Sequence, residues 1–337
     1  MPTHKPLRAA VWGTGRMGQV MVQVGMERPS VEFVAAIVTT ADKEGKDLGE
    51  IAGVGPIGAP ATMDADAVLA RDDIDIVFYT GIGSSAEIAS YCKRALLAGK
   101  DCVTLSGLVH PGMALGAEGA ADLDAAAKKT GKRFVGTGVA PGFITDVLPA
   151  VLLSQAVRFD RVTVRIASGM ESWGPGVLKL YGVGLTPAEI APPTSRVSMK
   201  ESVAVIAETI GLQVDRITEV NNPRISKTDR EHQGYTVAPG QVCGFERRFS
   251  GWVGDSEKLV LEWNGAFVVD TAEDGFESGC SIEVEGGPLD WMKIRIDVGL
   301  WDDPYPATAA RGFAVIPGLL SLPPGSYHGG QIPFGVR

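Results

Sequence analysis

The segment Leu7-Arg8-Ala9-Ala10-Val11-Trp12 runs without a break into Gly13-Thr14-Gly15-Arg16-Met17-Gly18, and helix-compatible residues follow from Gln19 to Met26. A G-x-G-x-x-G alone constrains little. Apolar strand, glycine turn and helix in succession constrain the chain to a parallel α/β sheet whose first turn holds a dinucleotide. Gly13 permits the tight turn, Gly15 lets backbone approach a pyrophosphate, and Gly18 lets the helix pack close to the strand. The helix start, with Thr14, Arg16 and Met17, offers N–H groups and a positive dipole end to that pyrophosphate.

Strand and helix signals keep alternating as far as about residue 140. Strands are expected at Val31–Val38, Ile74–Tyr79, Cys102–Leu105 and Arg133–Val135. Helices are expected at Ala65–Ala70, Ser84–Ala98 and Glu118–Thr130. Such alternation builds a doubly wound parallel sheet. After Pro141 the pattern changes to β-rich segments: Phe159–Ile166, Thr236–Val237, Val242–Val253, Lys258–Ala266, Cys280–Glu285 and Met292–Ile296, with one amphipathic helix at Lys200–Ile210. The expected fold is therefore a Rossmann-type domain over 1–146 and a mostly antiparallel α+β substrate and dimerisation domain over 147–302. A helix at Ala307–Leu320 brings 303–337 back to the first domain, and the Gly/Pro-rich tail from Pro323 reads as a surface loop. A length of 337 residues suits two domains.

The net charge of −9, with no basic run, argues against nucleic acid and anionic membrane as partners. No apolar stretch reaches the roughly 18 residues of a membrane span. Met1 to Pro6 lacks the apolar core of a secretion signal, so a cytoplasmic location is expected. Cys92, Cys102, Cys243 and Cys280 are scattered, without C-x-x-C spacing, and give neither a zinc site nor a disulfide framework. With four histidines in all, a histidine metal site is not expected.

The end of the second strand discriminates between the two nicotinamide dinucleotides. NAD specificity needs a carboxylate there for the ribose 2′-hydroxyl. The chain instead reads Val38-Thr39-Thr40-Ala41-Asp42-Lys43. Thr39, Thr40 and Lys43, with Lys46 nearby, can accept a 2′-phosphate, so NADP is the expected cofactor. Asp42 keeps NAD possible if the strand extends further. Thr80 and Gly81, at the end of a later strand, join the cofactor set, and Ser106 can reach the nicotinamide amide or the substrate.

Further segments carry a family resemblance. They are Gly45-Lys46-Asp47-Leu48-Gly49-Glu50, Gly136-Thr137-Gly138-Val139-Ala140-Pro141-Gly142-Phe143 and Gly182-Val183-Gly184-Leu185-Thr186-Pro187. Glu201-Ser202-Val203-Ala204, Pro239-Gly240-Gln241-Val242-Cys243-Gly244 and Pro317-Gly318-Leu319-Leu320 complete the set. The N-terminal part resembles the dihydrodipicolinate reductase nucleotide domain. The whole chain resembles the 2,4-diaminopentanoate dehydrogenases and related native amine dehydrogenases. The resemblance implies hydride transfer from a nicotinamide cofactor to a C=N carbon, a homodimer, and an active site in the cleft between domains, with Ala140 and Pro141 beside the cofactor. It also implies a Glu just after the strand that follows the 80s helix. Here Asp101-Cys102-Val103-Thr104-Leu105-Ser106-Gly107-Leu108-Val109-His110-Pro111 contains none.

His110 occupies the place of that acid group, and imidazole titrates near neutral pH; its other reading is a loop histidine with structural contacts. Ser168 to Tyr181 is the expected substrate loop, in which Lys179 and Tyr181 can donate protons and Glu171 can replace the missing carboxylate. For each, a surface or packing role is the alternative. Trp173 and Trp252 are candidates to wall an apolar pocket. The reading is an NADP-dependent oxidoreductase acting on C=N or C=O of a small, partly apolar substrate. The missing Glu favours a cyclic imine or ketone over ammonia-dependent amination. The alternative is a non-catalytic NADP-binding sensor or complex-forming protein.

Overall fold

The computed structural model of the chain describes residues 5–190, 198–286, 292–296 and 303–334. The chain divides into two compact units, Met1–Ile144 with Tyr305–Arg337, and Thr145–Pro304. The first unit begins β1 (Leu7–Trp12), α1 (Arg16–Gly25), β2 (Val31–Ile37), α2 (Leu48–Ala52), β3 (Ala61–Thr62) and α3 (Ala65–Leu69). It continues β4 (Ile76–Tyr79), α4 (Ser85–Leu97), β5 (Asp101–Thr104), α5 (Pro111–Thr130) and β6 (Arg133–Gly136). The second unit carries α6 (Val147–Leu153), β7 (Arg161–Gly169), α7 (Pro175–Leu180), α8 (Lys200–Thr209), β8 (Arg216–Ile225) and β9 (Arg230–His232). It ends β10 (Tyr235–Val237), β11 (Val242–Val253), β12 (Ser256–Ala266), α9 (Thr271–Asp274), β13 (Gly279–Glu285) and β14 (Met292–Ile296). The chain then returns to the first unit as α10 (Tyr305–Ala314), α11 (Ile316–Leu320) and β15 (Gly325–Tyr327).

In the first unit all seven strands run parallel, in the order β15-β6-β5-β4-β1-β2-β3. The order reverses direction at β1, which sets a ligand crevice outside the carboxyl ends of β1 and β4. Strand residues alternate between two buried faces. Ala9, Val11, Ile76 and Phe78 join Met21, Phe33 and Phe313 on one side, whereas Ala10, Trp12, Val77 and Tyr79 join Cys92, Leu96 and Phe134 on the other. Burial on both faces explains why these strands read as continuous apolar runs. A fully buried side chain such as Phe78 contributes roughly 1.5–3 kcal/mol.

The second unit holds a six-stranded sheet, β14-β13-β7-β12-β11-β8. It is mixed: β7 and β12 pair in parallel at its centre and the outer pairs are antiparallel. One face buries Val164, Ile166, Phe249, Leu261 and Ile282, with α8 packed upon it. The opposite face carries a lattice of Arg165, Glu262, Glu283, Arg248 and Glu257.

Three expectations from sequence need correction. The helix expected from Glu118 is preceded by a short helical segment that the sequence reading omitted: it starts at Pro111, capped by His110 and with proline at its first position, and is separated from the long segment by a non-helical break at Gly116 (φ 72°). The stretch 307–320 is two helices, since Pro317 cannot extend the ladder of α10 into α11. The tail is not all surface loop: Gly325–Tyr327 adds an edge strand beside β6. β8 was missed because its exposed face, with Thr218, Val220 and Asn222, and its Pro223 blur the apolar alternation.

Candidate active site

The glycine turn closes on itself everywhere except at one point. A Cβ on Gly13 (φ 103°) would lie 2.8 Å from the Gly81 nitrogen, and one on Gly18 would lie 2.0 Å from the Gly13 oxygen. A Cβ on Gly15 would meet nothing within 4 Å. Gly13 and Gly18 are therefore fixed by the fold, whereas the space above Gly15 is open. Gly15 is also the N-cap of α1 and offers no side-chain acceptor to the first turn, whose N–H groups remain available to a ligand. The Thr80 hydroxyl donates to the Gly13 carbonyl at 2.5 Å, which ties the end of β4 to the turn. Thr14 is buried and Met17 packs on the core, while Arg16 is exposed and lies over the Tyr305 ring at 5.8 Å.

β2 ends at Ile37, and Thr39 and Thr40 beyond it are exposed. Lys43 folds back so that its Nζ donates to the Thr14 carbonyl at 2.8 Å. A cation thus rests against the phosphate-binding turn from the end of the second strand. Lys46 is exposed. Asp42 stands in a short helical turn after Thr40, and the Thr40 hydroxyl beside it holds its carboxyl below the usual range.

Ser106 and His110 follow β5 on the carboxyl side of the sheet. The Ser106 N–H donates to Thr104 Oγ1 at 3.1 Å, and the loop then passes through Gly107 (φ 109°) and Leu108 (φ 56°). His110 is buried, and its Nδ1 accepts the Met113 N–H at 3.0 Å. Its ring stacks on that of His328, with centroids 5.5 Å apart and planes at 17°. His328 was not singled out from sequence, because the tail read as loop. Ala140 and Pro141 are joined by a cis peptide in the turn after β6. Asp101 is the first residue of β5, not a residue before it. It is buried, accepts the Arg133 N–H at 2.8 Å and pairs with Lys132 and Arg133 at the opposite end of the strand.

In the second unit, Glu171 follows β7 and its Oε1 accepts the Val269 N–H at 3.0 Å. Lys179 is exposed on α7. Tyr181, at the end of α7, belongs to an aromatic group: it stacks on Phe245 at 5.0 Å and meets Trp173 at 5.3 Å and Trp263 at 5.8 Å. Phe245 and Trp263 escaped the sequence reading, since strand alternation marks them only as core. Trp252 does not join Trp173. It lies seven residues along β11 from Phe245, with its Nε1 donating to Thr218 and Arg216 over its ring. Ser202, from the Glu201-Ser202 segment, donates to Asp146 Oδ2 at 2.8 Å, a buried bond between α8 and the cap of α6.

Cys243, Glu273 and Asp274 bring three potential metal-ligand atoms within 4.8 Å of one another. Arg230 already neutralises both carboxylates, at 2.6 Å and 2.7 Å, so this cluster is a buried ion-pair knot. No helix among the described residues is long and apolar enough to cross a membrane.

Residues 143–333 match the 2,4-diaminopentanoate dehydrogenase C-terminal domain family, and residues 7–104 match the dihydrodipicolinate reductase N-terminal family. The 2,4-diaminopentanoate dehydrogenase of Acetoanaerobium sticklandii is 24% identical over 84% of this chain and 82% of its own length. An amine dehydrogenase of Streptomyces virginiae is 25% identical over 97% of this chain and 96% of its own. The solved amine dehydrogenase of Mycobacterium smegmatis superposes with a TM-score of 0.86 at 24% identity, covering 99% of this chain and 98% of that one.

Proposed function

The chain belongs to the family defined by the 2,4-diaminopentanoate dehydrogenase C-terminal domain and is an NAD(P)-dependent oxidoreductase; from that premise we propose that it transfers hydride between NADP and the C=N or C=O carbon of a small, partly apolar substrate. The observation that carries the reading is the phosphate cradle. The only one of its three motif glycines with open space above it is Gly15, the position that a pyrophosphate must approach. The residues present therefore fit the cofactor. Gly13 to Gly18 hold the pyrophosphate with Thr80 and Gly81, and Thr39, Thr40 and Lys43 receive the 2′-phosphate. When bound, the nicotinamide supplies or accepts the hydride. Ser106, His110, Ala140 and Pro141 serve the reacting end, being placed after β5 and β6 on the edge where open α/β sheets bind ligands. Glu171, Lys179 and Tyr181 serve the substrate, with the Tyr181 aromatic group supplying apolar surface.

The preference for NADP rests on Lys43 and on the acid-free end of β2. The acceptor is a ketone or a preformed imine, because 102–111 holds no carboxylate to activate ammonia and Asp101 is engaged at the far end of β5. A homodimer, as the family resemblance implies, and a cytoplasmic location complete the proposal. The test is NADPH oxidation with ketones plus ammonia, ketones alone and cyclic imines. Turnover of ketones or cyclic imines without ammonia is expected. Turnover only when ammonia is present refutes the acceptor assignment.

A further inference from the structure

The end of β7 and the loop after it hold two buried hydroxyls with nothing to bond. Ser168, near the end of β7, is 5% exposed, and its Oγ has no hydrogen-bond partner among the described residues; the buried Oγ of Ser172 has none either. The loop around them is pinned. The Gly169 N–H donates to Ser278 Oγ at 3.2 Å, the Met170 N–H to the Ala266 carbonyl at 3.0 Å and the Trp173 N–H to the Met170 carbonyl at 3.0 Å, while Glu171 Oε1 accepts the Val269 N–H at 3.0 Å. Side chains alternate along a strand, so Ser168 shares a face with Val164 and Ile166. Its partner in β12 is Gly265, and β13 pairs with β7 only as far as Ala167. A Cβ on Gly265 would lie 2.7 Å from Phe245 Cζ and 3.1 Å from Met170 Sδ, so the Phe245 ring and the Met170 thioether cover that glycine. Ser168 therefore stands one strand spacing, about 4.8 Å, from the edge of the aromatic group of Phe245, Tyr181, Trp173 and Trp263.

A buried hydroxyl without a partner destabilises the fold, and alanine in its place would carry no such penalty. A water molecule bound there needs roughly two to four polar partners, whereas the Ser168 surroundings are an aromatic ring, a thioether and backbone engaged in the β-ladder. A polar group on an apolar stem satisfies both sides, since the group bonds the serine and the stem covers the rings. We propose that Ser168 and Ser172 are specificity-determining residues that bind a second polar group of the substrate, a hydroxyl or its like, on a carbon away from the one that exchanges hydride. This rests on the hydride-transfer reading above and narrows its substrate class to a ketone or imine with an apolar stem and one further hydroxyl-type substituent. Hydroxyls match serine because each both donates and accepts. A substrate that lacks the substituent leaves the serines unbonded, and that loss discriminates against it.

Two measurements on the whole chain with both serines replaced, Ser168→Ala with Ser172→Ala, test the inference. The first is thermal unfolding without cofactor or substrate. The variant is expected to unfold at or above the wild-type Tm, because the hydroxyls it loses bond nothing. A Tm several degrees lower shows that they hold the fold together and overturns the inference. The second is kcat/KM with NADPH for a β-hydroxyketone and for the alkyl ketone that carries a methyl in place of the hydroxyl. Wild type is expected to favour the hydroxyketone. In the variant the ratio of the two values should fall by about 5- to 150-fold, the equivalent of about 1–3 kcal/mol for a buried hydroxyl left unsatisfied. Reading the ratio cancels any general loss of turnover. Wild type without the preference, or a variant that keeps it, overturns the inference and leaves the hydride-transfer reading standing. If wild type reduces neither ketones nor cyclic imines, the hydride-transfer reading itself fails and the inference falls with it, whatever the unfolding shows.

Discussion

Gly15 and Gly18 stand three residues apart in one motif, yet the structure predicts opposite consequences for enlarging them. At Gly15 the backbone is extended (φ −72°, ψ −167°) and an added Cβ touches nothing. Gly15→Val therefore costs the fold little beyond a poorer N-cap, about 1 kcal/mol or less. At Gly18 an added Cβ would lie 2.0 Å from the Gly13 oxygen and 3.0 Å from Thr80 Oγ1. Gly18→Ala must separate α1 from the turn, with an overpacking cost of about 1–3 kcal/mol. The pyrophosphate needs the very space that the valine fills. A loss of NADPH affinity of 100-fold or more is expected for Gly15→Val, equivalent to about 2.7 kcal/mol. Thermal unfolding without cofactor measures the first effect and fluorescence titration with NADPH the second. Without cofactor, Gly15→Val should unfold near wild type, and an NADPH concentration just sufficient to saturate wild type should raise its Tm far less. A valine variant that binds NADPH with wild-type affinity refutes the assignment of this turn to the phosphates.

Asp274 has a fully buried carboxylate that grips Arg230 through both oxygens, at 2.7 Å and 3.0 Å. Asp274→Ala leaves the buried guanidinium short of charge and should cost about 3–5 kcal/mol in denaturant unfolding; a loss below 1 kcal/mol contradicts the pairing. All four cysteines are buried, and burial pushes the Cys280 thiol up to about 12, so native protein at pH 8 should resist iodoacetamide and take up label only when unfolded. Desolvation raises the Asp47 pKa, but N–H donors on Ile57, Gly49, Gly58 and Ala59 outweigh it and hold the carboxyl below its ordinary value. Its stabilisation is complete above the unfolded value of about 3.9 and is lost as pH falls through the lower folded value. Asp47→Asn should thus cost about 1.5–3 kcal/mol at pH 7 and progressively less under acid.

The parallel sheet was legible because both its faces are buried. Runs such as Ile76–Tyr79 then contain little except apolar residues, and their glycine turns punctuate them. The glycine motif was legible for a related reason, since backbone constraints at Gly13 and Gly18 admit no side chain. The second sheet was harder. Its charged face is half-buried, so ion pairs such as Arg165 with Glu283 alternate with the core residues, and β8 lost its signal altogether. Contacts between distant segments left no local trace. The stacking of His110 on His328 joins residues that local sequence cannot relate, and the same holds for Trp173 and Trp263. His110 as a helix cap was legible in principle, from His-Pro ahead of a helical run, but Gly116 concealed the first turn.

The proposed preference for NADP turns on one lysine. The Lys43 ammonium rests on the Thr14 carbonyl at 2.8 Å, which brings a positive charge to the border between the glycine turn and the end of β2. No carboxylate occupies Thr39, Thr40 or Ala41 to oppose an anion there, and Asp42 is engaged by Thr40. A 2′-phosphate at this border exchanges a neutral carbonyl partner for a charged one. Charge-assisted hydrogen bonds contribute about 1.5–3 kcal/mol, so Lys43→Ala should weaken NADPH binding roughly 10- to 150-fold. NADH lacks the phosphate and should bind the variant as it binds wild type. Thr40→Asp should act in the same direction by repulsion, and it also supplies an acceptor for the 2′-hydroxyl of NADH. Salt gives a second readout: an exposed charge pair is screened, so the gap between NADPH and NADH affinity should narrow with ionic strength in wild type and hardly change in Lys43→Ala. If Lys43→Ala weakens both dinucleotides equally, the lysine supports the glycine turn through Thr14 and does not read the phosphate.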